Sequence, residues 1–193
     1  HISTDEVFGS LLKNGKFCEN SPYHPSSPYS ASKAASDHFV NSWYKTFSFP
    51  SLISNCSNNY GPRQFPEKLI PKAIYKIINN SNIPIYGNGE NIRDWLYVDD
   101  HIDALIMILL NGDVGNKYCI GANEEISNLK LIKLICKKLD IKLNRKKSSS
   151  DLIDFVDDRF GHDYRYSIDS SYIRKKLKWY PKTNLDVGLD QTI

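Results

Sequence analysis

Apolar residues recur along this chain in two rhythms. Leu69, Ile70, Ala73, Ile74, Ile77 and Ile78 fall on one helical face behind Pro66 and Pro71, which predicts a helix over 69–78. The same spacing predicts helices over 99–110, with Asp99 or Asp100 as cap, over 129–139 with Asn128 near its start, and over 171–177. Residues 26–47 read as one long helix, opened by a serine and proline signal at Ser26, Ser27 and Pro28. Short β-branched or apolar runs between turn residues predict strands over 2–8 ending at Gly9, over 51–54, over 83–86 before the turn Gly87-Asn88-Gly89, and over 118–120. The polar stretches 9–28 and 145–150 read as loops, and no internal repeat is present.

This alternation of strands and helices argues for an α/β domain with the later helices forming a smaller lobe over it. Open α/β sheets place ligands at the carboxyl ends of their strands, so the polar run Asn55–Asn59 after a strand suggests a ligand site more than a turn. On the long helix Tyr29 and Lys33 lie about one turn apart. An ammonium so placed favours the tyrosinate and draws the phenol below its usual value of roughly 10, which equips it to take a proton from a hydroxyl. An ordinary amphipathic helix carries the same spacing by chance. Upstream, Thr4, Asp5 and Glu6 stand at a strand end, where a carboxylate pair is either simply solvated or set up for acid–base work. Consecutive strand residues face opposite ways, so both carboxyls reach one ligand only if the backbone bends at Asp5-Glu6.

Composition narrows the classes. The chain has 193 residues and a formal net charge of +3, and its lysine and arginine clusters are interrupted by apolar residues, so a solvated surface explains them better than a nucleic-acid patch. No run of apolar residues is long enough to span a membrane. Cys18, Cys56, Cys119 and Cys136 show neither metal nor disulfide spacing, which fits reduced thiols in a cytoplasmic setting, and the dispersed histidines complete no metal site.

Seven segments, in order, resemble the extended short-chain dehydrogenase/reductases and within them the dTDP-glucose 4,6-dehydratases. They are Ser3-Thr4-Asp5-Glu6-Val7, Ser26 to Lys33, Asn55 to Pro62, Phe65 to Pro71, Pro84-Ile85-Tyr86-Gly87, Arg93 to Val98, and Asp158-Arg159-Phe160-Gly161-His162-Asp163. The resemblance implies the C-terminal part of a Rossmann-like NAD-binding domain, over 1–62 and 90–120, with a smaller α/β nucleotide-sugar-binding lobe over 63–89 and 121–193. It implies that NAD oxidises the sugar at C4, that water leaves across C5 and C6, and that the hydride returns to C6. Tyr29 is then the base on the C4 hydroxyl, aided by Lys33 and Thr4, Glu6 the base at C5, and Asp5 the acid at C6. Tyr29, Lys33 and Asn59 would contact the cofactor. Substrate contacts would come from Thr4, Asn58, Lys68, Leu69, Pro84, Ile85, Tyr86, Arg93, Asn128, Asp158, Arg159, Phe160, Gly161 and His162. Arg93 could instead form a structural bridge to Asp94 or Asp99. The long helix would also lie at a homodimer interface.

The sequence departs from the resembled pattern at Phe160, where the family has proline, and in a shortened loop after Gly9. No Gly-x-x-Gly-x-x-Gly turn is present, and the chain opens at His1 on a strand that already carries chemistry. The expectation is therefore a piece of a longer enzyme. A nucleotide-sugar 4-epimerase is the nearest rival; it needs Tyr29 and Lys33 but not both Asp5 and Glu6. A non-catalytic remnant is the other alternative.

Overall fold

The computed structural model describes residues 1–193. Strand β1 covers Ile2–Thr4 and stops there, because a 3-10 turn over Asp5–Phe8 replaces the rest of the expected strand. Thr4 Oγ1 accepts the Glu6 N–H at 3.3 Å, and Gly9 closes the turn by donating to the Glu6 carbonyl. Only glycine suits position 9: its φ is +86°, and a Cβ there would sit 2.4 Å from the His24 carbonyl oxygen. Helix α1 then covers Pro28–Phe47, capped reciprocally by Ser27 and Ser30.

Strand β2 covers Ile53–Cys56 and β3 covers Asn58–Tyr60, so part of the polar run read as a ligand loop is extended. Helix α2 (Leu69–Ile78) and strand β4 (Ile83–Tyr86) fall at the expected bounds. Strand β5 (Ile92–Tyr97) was not legible as a strand, since its side chains are buried on both faces and do not alternate. Helix α3 covers Val98–Asn111; neither expected aspartate caps it, for the N-cap is Tyr97 without a side-chain bond. Asp100 instead accepts the Thr183 N–H at 2.9 Å. Strands β6 (Lys117–Ile120) and β7 (Glu125–Ser127) precede helix α4 (Asn128–Lys142), which Ser127 caps. Strand β8 (Ile153–Val156) and helices α5 (Ser171–Leu177) and α6 (Leu185–Thr192) complete the chain.

Three small sheets result. Strands β1, β2 and β6 run parallel in that order, β3 lies between no others but pairs in parallel with β5, which pairs antiparallel with β7, and β4 pairs in parallel with β8. The largest core cluster packs α2, α4 and α6 against β4 and β5 through Ile70, Ile77, Ile85, Trp95, Leu131, Ile135 and Leu189. A second cluster packs α3 and α5 on β6 through Ala104, Ile108, Ile120 and Ile173. Burial of apolar area on this scale is the dominant favourable contribution to folding. A cleft of about 650 Å³ opens between the start of α1, the first residues of β3 and the segment after β8. No helix is long and apolar enough to cross a membrane.

Candidate active site

The cap at Ser27 fixes where α1 begins and so places Tyr29 in its first turn, on the wall of the cleft. Lys33 follows one turn later, but its Nζ donates to the Ile2 carbonyl at 2.7 Å. The phenol is accordingly not drawn down. Burial, followed by the negative potential of Glu6, Cys56 and Asp5, pushes its pKa above the ordinary value. That corrects the sequence expectation: the two residues stand one helical turn apart, yet the ammonium is aimed at the strand.

The 3-10 turn is the bend expected at Asp5-Glu6, but only Glu6 reaches the cleft. Glu6 is half-buried and lines the cleft, whereas Asp5 is 2% exposed and stands behind it. Burial, together with Glu6 and Asp94, raises the Asp5 pKa to about 8, opposed by Arg93 and by the Thr4 hydroxyl that donates to its Oδ1 at 3.3 Å. Glu6 is also raised by burial, but Arg93, Lys68 and Arg159 counter that shift. The adjacent acids thus differ in environment: Asp5 is enclosed, whereas Glu6 opens on the cleft with Arg93, Lys68 and Arg159 opposing the rise that burial causes. Asp5 Oδ2 is buried without a hydrogen-bond partner. Thr4 also lies outside the cleft lining, with its hydroxyl spent on Asp5 and the Glu6 N–H.

Strand β5 carries the opposite wall. Arg93 and Trp95 alternate onto the cleft side, and the pairing of β5 with β3 sets Asn58 opposite Trp95 and Asn59 opposite Leu96. Arg93 forms no bridge to Asp94 or Asp99. Its guanidinium donates to the carbonyls of Ile92, Asp163 and Tyr164 and lies 4.2 Å from the Tyr166 ring centroid. Asp94 points the other way and accepts the N–H groups of Ala122 and Glu124. Lys68, at the N-cap of α2, and Leu69, its first residue, line the cleft, as does Asn128 at the start of α4. Strand alternation in β4 sends Pro84 and Tyr86 to the cleft and Ile85 into the core, so the side chain of Ile85 is not a wall residue.

The segment after β8 brings Arg159, Phe160, Gly161 and His162 to the rim. Arg159 stacks over Tyr86 at 4.9 Å, and His162 Nδ1 is 2.6 Å from Asp158 Oδ1. Asp158 therefore orients His162 rather than lining the cleft itself. Burial lowers the His162 pKa although Asp158 opposes it. Sequence reasoning missed Gln64, Lys72, Trp95, Asp163 and Tyr166, which line the same cleft. Trp95 could have been found from Arg93 by strand alternation; Tyr166 stands in an irregular stretch whose approach carries no periodic signal. No group of three or more His, Cys, Asp or Glu side chains gathers to hold a metal.

Comparison with known proteins places this geometry. The family model described as GDP-mannose 4,6 dehydratase matches residues 1–192. A probable dTDP-glucose 4,6-dehydratase of Sinorhizobium fredii is 52% identical over 193 residues, which is 100% of this chain and 55% of the relative. The solved structure of a dTDP-glucose 4,6-dehydratase from Streptomyces venezuelae, with NAD bound, matches with a TM-score of 0.92 at 38% identity, over 100% of this chain and 57% of that one. A UDP-glucuronic acid 4-epimerase from Bacillus cereus, in complex with NAD, matches at 0.87 and 27%, over 99% and 58%. The chain thus spans little more than half the length of the proteins it matches, and its parallel α/β arrangement is of the Rossmann type seen in them.

Proposed function

This chain belongs to the GDP-mannose 4,6-dehydratase family, and from that premise we propose that the whole protein dehydrates dTDP-glucose to its 4-keto-6-deoxy derivative. The observation that carries the reading is the pair Asp5 and Glu6, adjacent in the chain, with Asp5 enclosed behind the cleft that Glu6 and Tyr29 line. An epimerase needs a base at C4 and no such pair. The higher identity to dehydratases than to the epimerase points the same way.

The residues present fit NAD: Asn59 offers a buried Oδ1 without a partner, and Lys33 Nζ bonds one carbonyl and so keeps N–H groups for ribose hydroxyls. NAD supplies the hydride acceptor and a positive charge when bound. Tyr29 takes the C4 hydroxyl proton. The C5 proton, acidified by the new ketone, goes to Glu6, whose ionised form Arg93, Lys68 and Arg159 favour against burial. Asp5, protonated at neutral pH, gives its proton to the departing C6 hydroxyl. Each acid–base role contributes about 10²- to 10⁴-fold. Lys68, Arg93, Arg159 and His162 suit the diphosphate end, where a guanidinium fork matches phosphate oxygens, and Pro84, Tyr86 and Asn128 suit the base.

Full-length protein incubated with dTDP-glucose should form the alkali-absorbing 4-keto product with no net consumption of NAD. Formation of dTDP-galactose alone would move the assignment to an epimerase. The stripe Phe39, Trp43 and Phe47 on α1, each more than half exposed, supports a homodimer through this helix. A cytoplasmic location and a role in supplying deoxysugars such as rhamnose complete the proposal, in keeping with free cysteines throughout.

A further inference from the structure

The Asp163 carboxylate sits where two parts of the site meet. It follows directly on the segment that carries Arg159 and His162, and it is 8% exposed. Its Oδ2 accepts hydrogen bonds from both the Ser26 hydroxyl and the Tyr166 phenol. Ser26 immediately precedes Ser27, the N-cap of α1, and Tyr29 lies two residues further on. At the same residue the main-chain carbonyl of Asp163 accepts Arg93 Nη2 at 2.9 Å and Asn91 Nδ2 at 3.3 Å. Gly161 packs against the same approach to α1: a Cβ there would be 3.1 Å from the Ser26 carbonyl oxygen. One residue therefore joins the rim segment, the Arg93 wall and the start of the helix that presents the phenol.

We propose that Asp163 is a positioning residue, whose carboxylate latches the Arg159–His162 segment to Ser26 and so fixes the separation between the nucleotide end of the site and Tyr29. The inference rests on the nucleotide-sugar reading above. A nucleotide sugar anchored by its diphosphate presents C4 to the phenol only if that separation is right, and misplacement by about 1 Å costs on the order of 10²-fold in rate. Binding of the diphosphate alone needs no such registration. Loss of the latch should thus slow oxidation at saturating substrate and leave nucleoside diphosphate affinity nearly intact. Charge-assisted bonds from two hydroxyls to one carboxylate are well suited to the task, being short and directional.

The test uses the full-length protein, with dTDP as binding probe and single-turnover formation of reduced nicotinamide from dTDP-glucose as rate probe. Asp163→Ala should slow the saturated rate at least tenfold while the Kd for dTDP changes less than threefold, and Asp163→Asn, which keeps one carbonyl acceptor, should fall between. Ser26 is exposed, so Ser26→Ala should fold as wild type does; it should slow the same step, and its effect should vanish in the Asp163→Ala background. A saturated rate within twofold of wild type in both Asp163→Ala and Ser26→Ala would overturn the proposal. So would a tenfold loss of dTDP affinity with the rate unchanged, or effects of the two substitutions that simply multiply. Wild-type protein without activity on dTDP-glucose would overturn the functional reading and this inference with it; active wild type beside unaffected variants overturns this inference alone.

Discussion

Lys33 donates to the Ile2 carbonyl at 2.7 Å and so pins the second turn of α1 to the first residue of β1. That bond keeps the helix that presents Tyr29 in register with the strand that leads to Asp5 and Glu6. It also aims the ammonium at a main-chain oxygen, and the phenol one turn away is pushed up rather than down. The lysine thus acts first on position, and the proton affinity of Tyr29 is set by burial and by its acidic neighbours.

Tyr29→Phe in the full-length protein should slow the first oxidation, because the proposed acceptor of the C4 hydroxyl proton is gone while the ring remains. The expected loss is about 10²- to 10⁴-fold. Absorbance of reduced nicotinamide after mixing with dTDP-glucose should stay flat on the wild-type timescale. Reduction at the wild-type rate would show that another group is the base.

The pH dependence follows from the acidic pair. Glu6 must be ionised to act as base, and its pKa is raised from 4.5, so kcat/KM should climb with pH through a value above 4.5. Asp5 must be protonated to act as acid, and its pKa is about 8, so kcat/KM should fall as pH rises through that value. Stability takes the same sign for Asp5. Its folded pKa lies above the unfolded 3.8, the folded state binds the extra proton between 3.8 and about 8, and stability therefore declines as pH rises across that window. Asp5→Asn should flatten this decline and melt at higher temperature than wild type above pH 8; an unchanged slope of Tm against pH would refute the assignment.

Much of this was legible in the sequence, and the misses have physical causes. Helix α2 and strand β4 emerged at their true bounds because each buries one clean face. Strand β5 did not, since Arg93, Asp94 and Trp95 are all buried and polar residues there serve the site or a loop. Strands β7 and β8 are held by partners distant in the chain, which local pattern does not reveal. Within the cleft, motif residues line the wall while the side chains that support them were not legible: Asp163 and Tyr166 contact Ser26 and Arg93, far from them in sequence. Ile85 shows the converse, a motif residue whose side chain strand alternation sends into the core.

Glu6→Gln should reduce its bound NAD on mixing with dTDP-glucose and then stall, since oxidation at C4 does not use this carboxyl. Exchange of the C5 hydrogen with solvent deuterium should be lost. Asp5→Asn should retain part of that exchange, because protonating the leaving hydroxyl follows or accompanies removal of the C5 proton. Wild-type exchange in Glu6→Gln would place the base elsewhere.

Trp43→Glu should weaken self-association of the full-length protein. Trp43 is 54% exposed in the middle of an apolar stripe with Phe39 and Phe47, and its ring stands 5.1 Å from that of Phe47. A carboxylate facing its own copy there adds like-charge repulsion to lost apolar contact. Sedimentation at micromolar concentration should show monomer for the variant and dimer for wild type; a monomeric wild type would remove the interface altogether.

Arg93 separates the value of a charge from the value of its shape. Its fork donates to three carbonyls, at 2.8, 3.3 and 2.9 Å, and its plane lies under Tyr166. Lysine keeps the charge but has a compact head that cannot serve three carbonyls and stack at once. Arg93→Lys should therefore cost about 1–3 kcal/mol of stability, the range for leaving a buried acceptor without its donor. Because the charge that opposes the rise in Glu6 pKa survives, the acid limb of the pH profile should move little. Arg93→Met removes that charge, so Glu6 should titrate at higher pH and the acid limb should shift upward. Thermal melts and pH–rate profiles of both variants check the argument. An equal upward shift in Arg93→Lys would mean that the geometry of the fork, rather than its charge, governs Glu6.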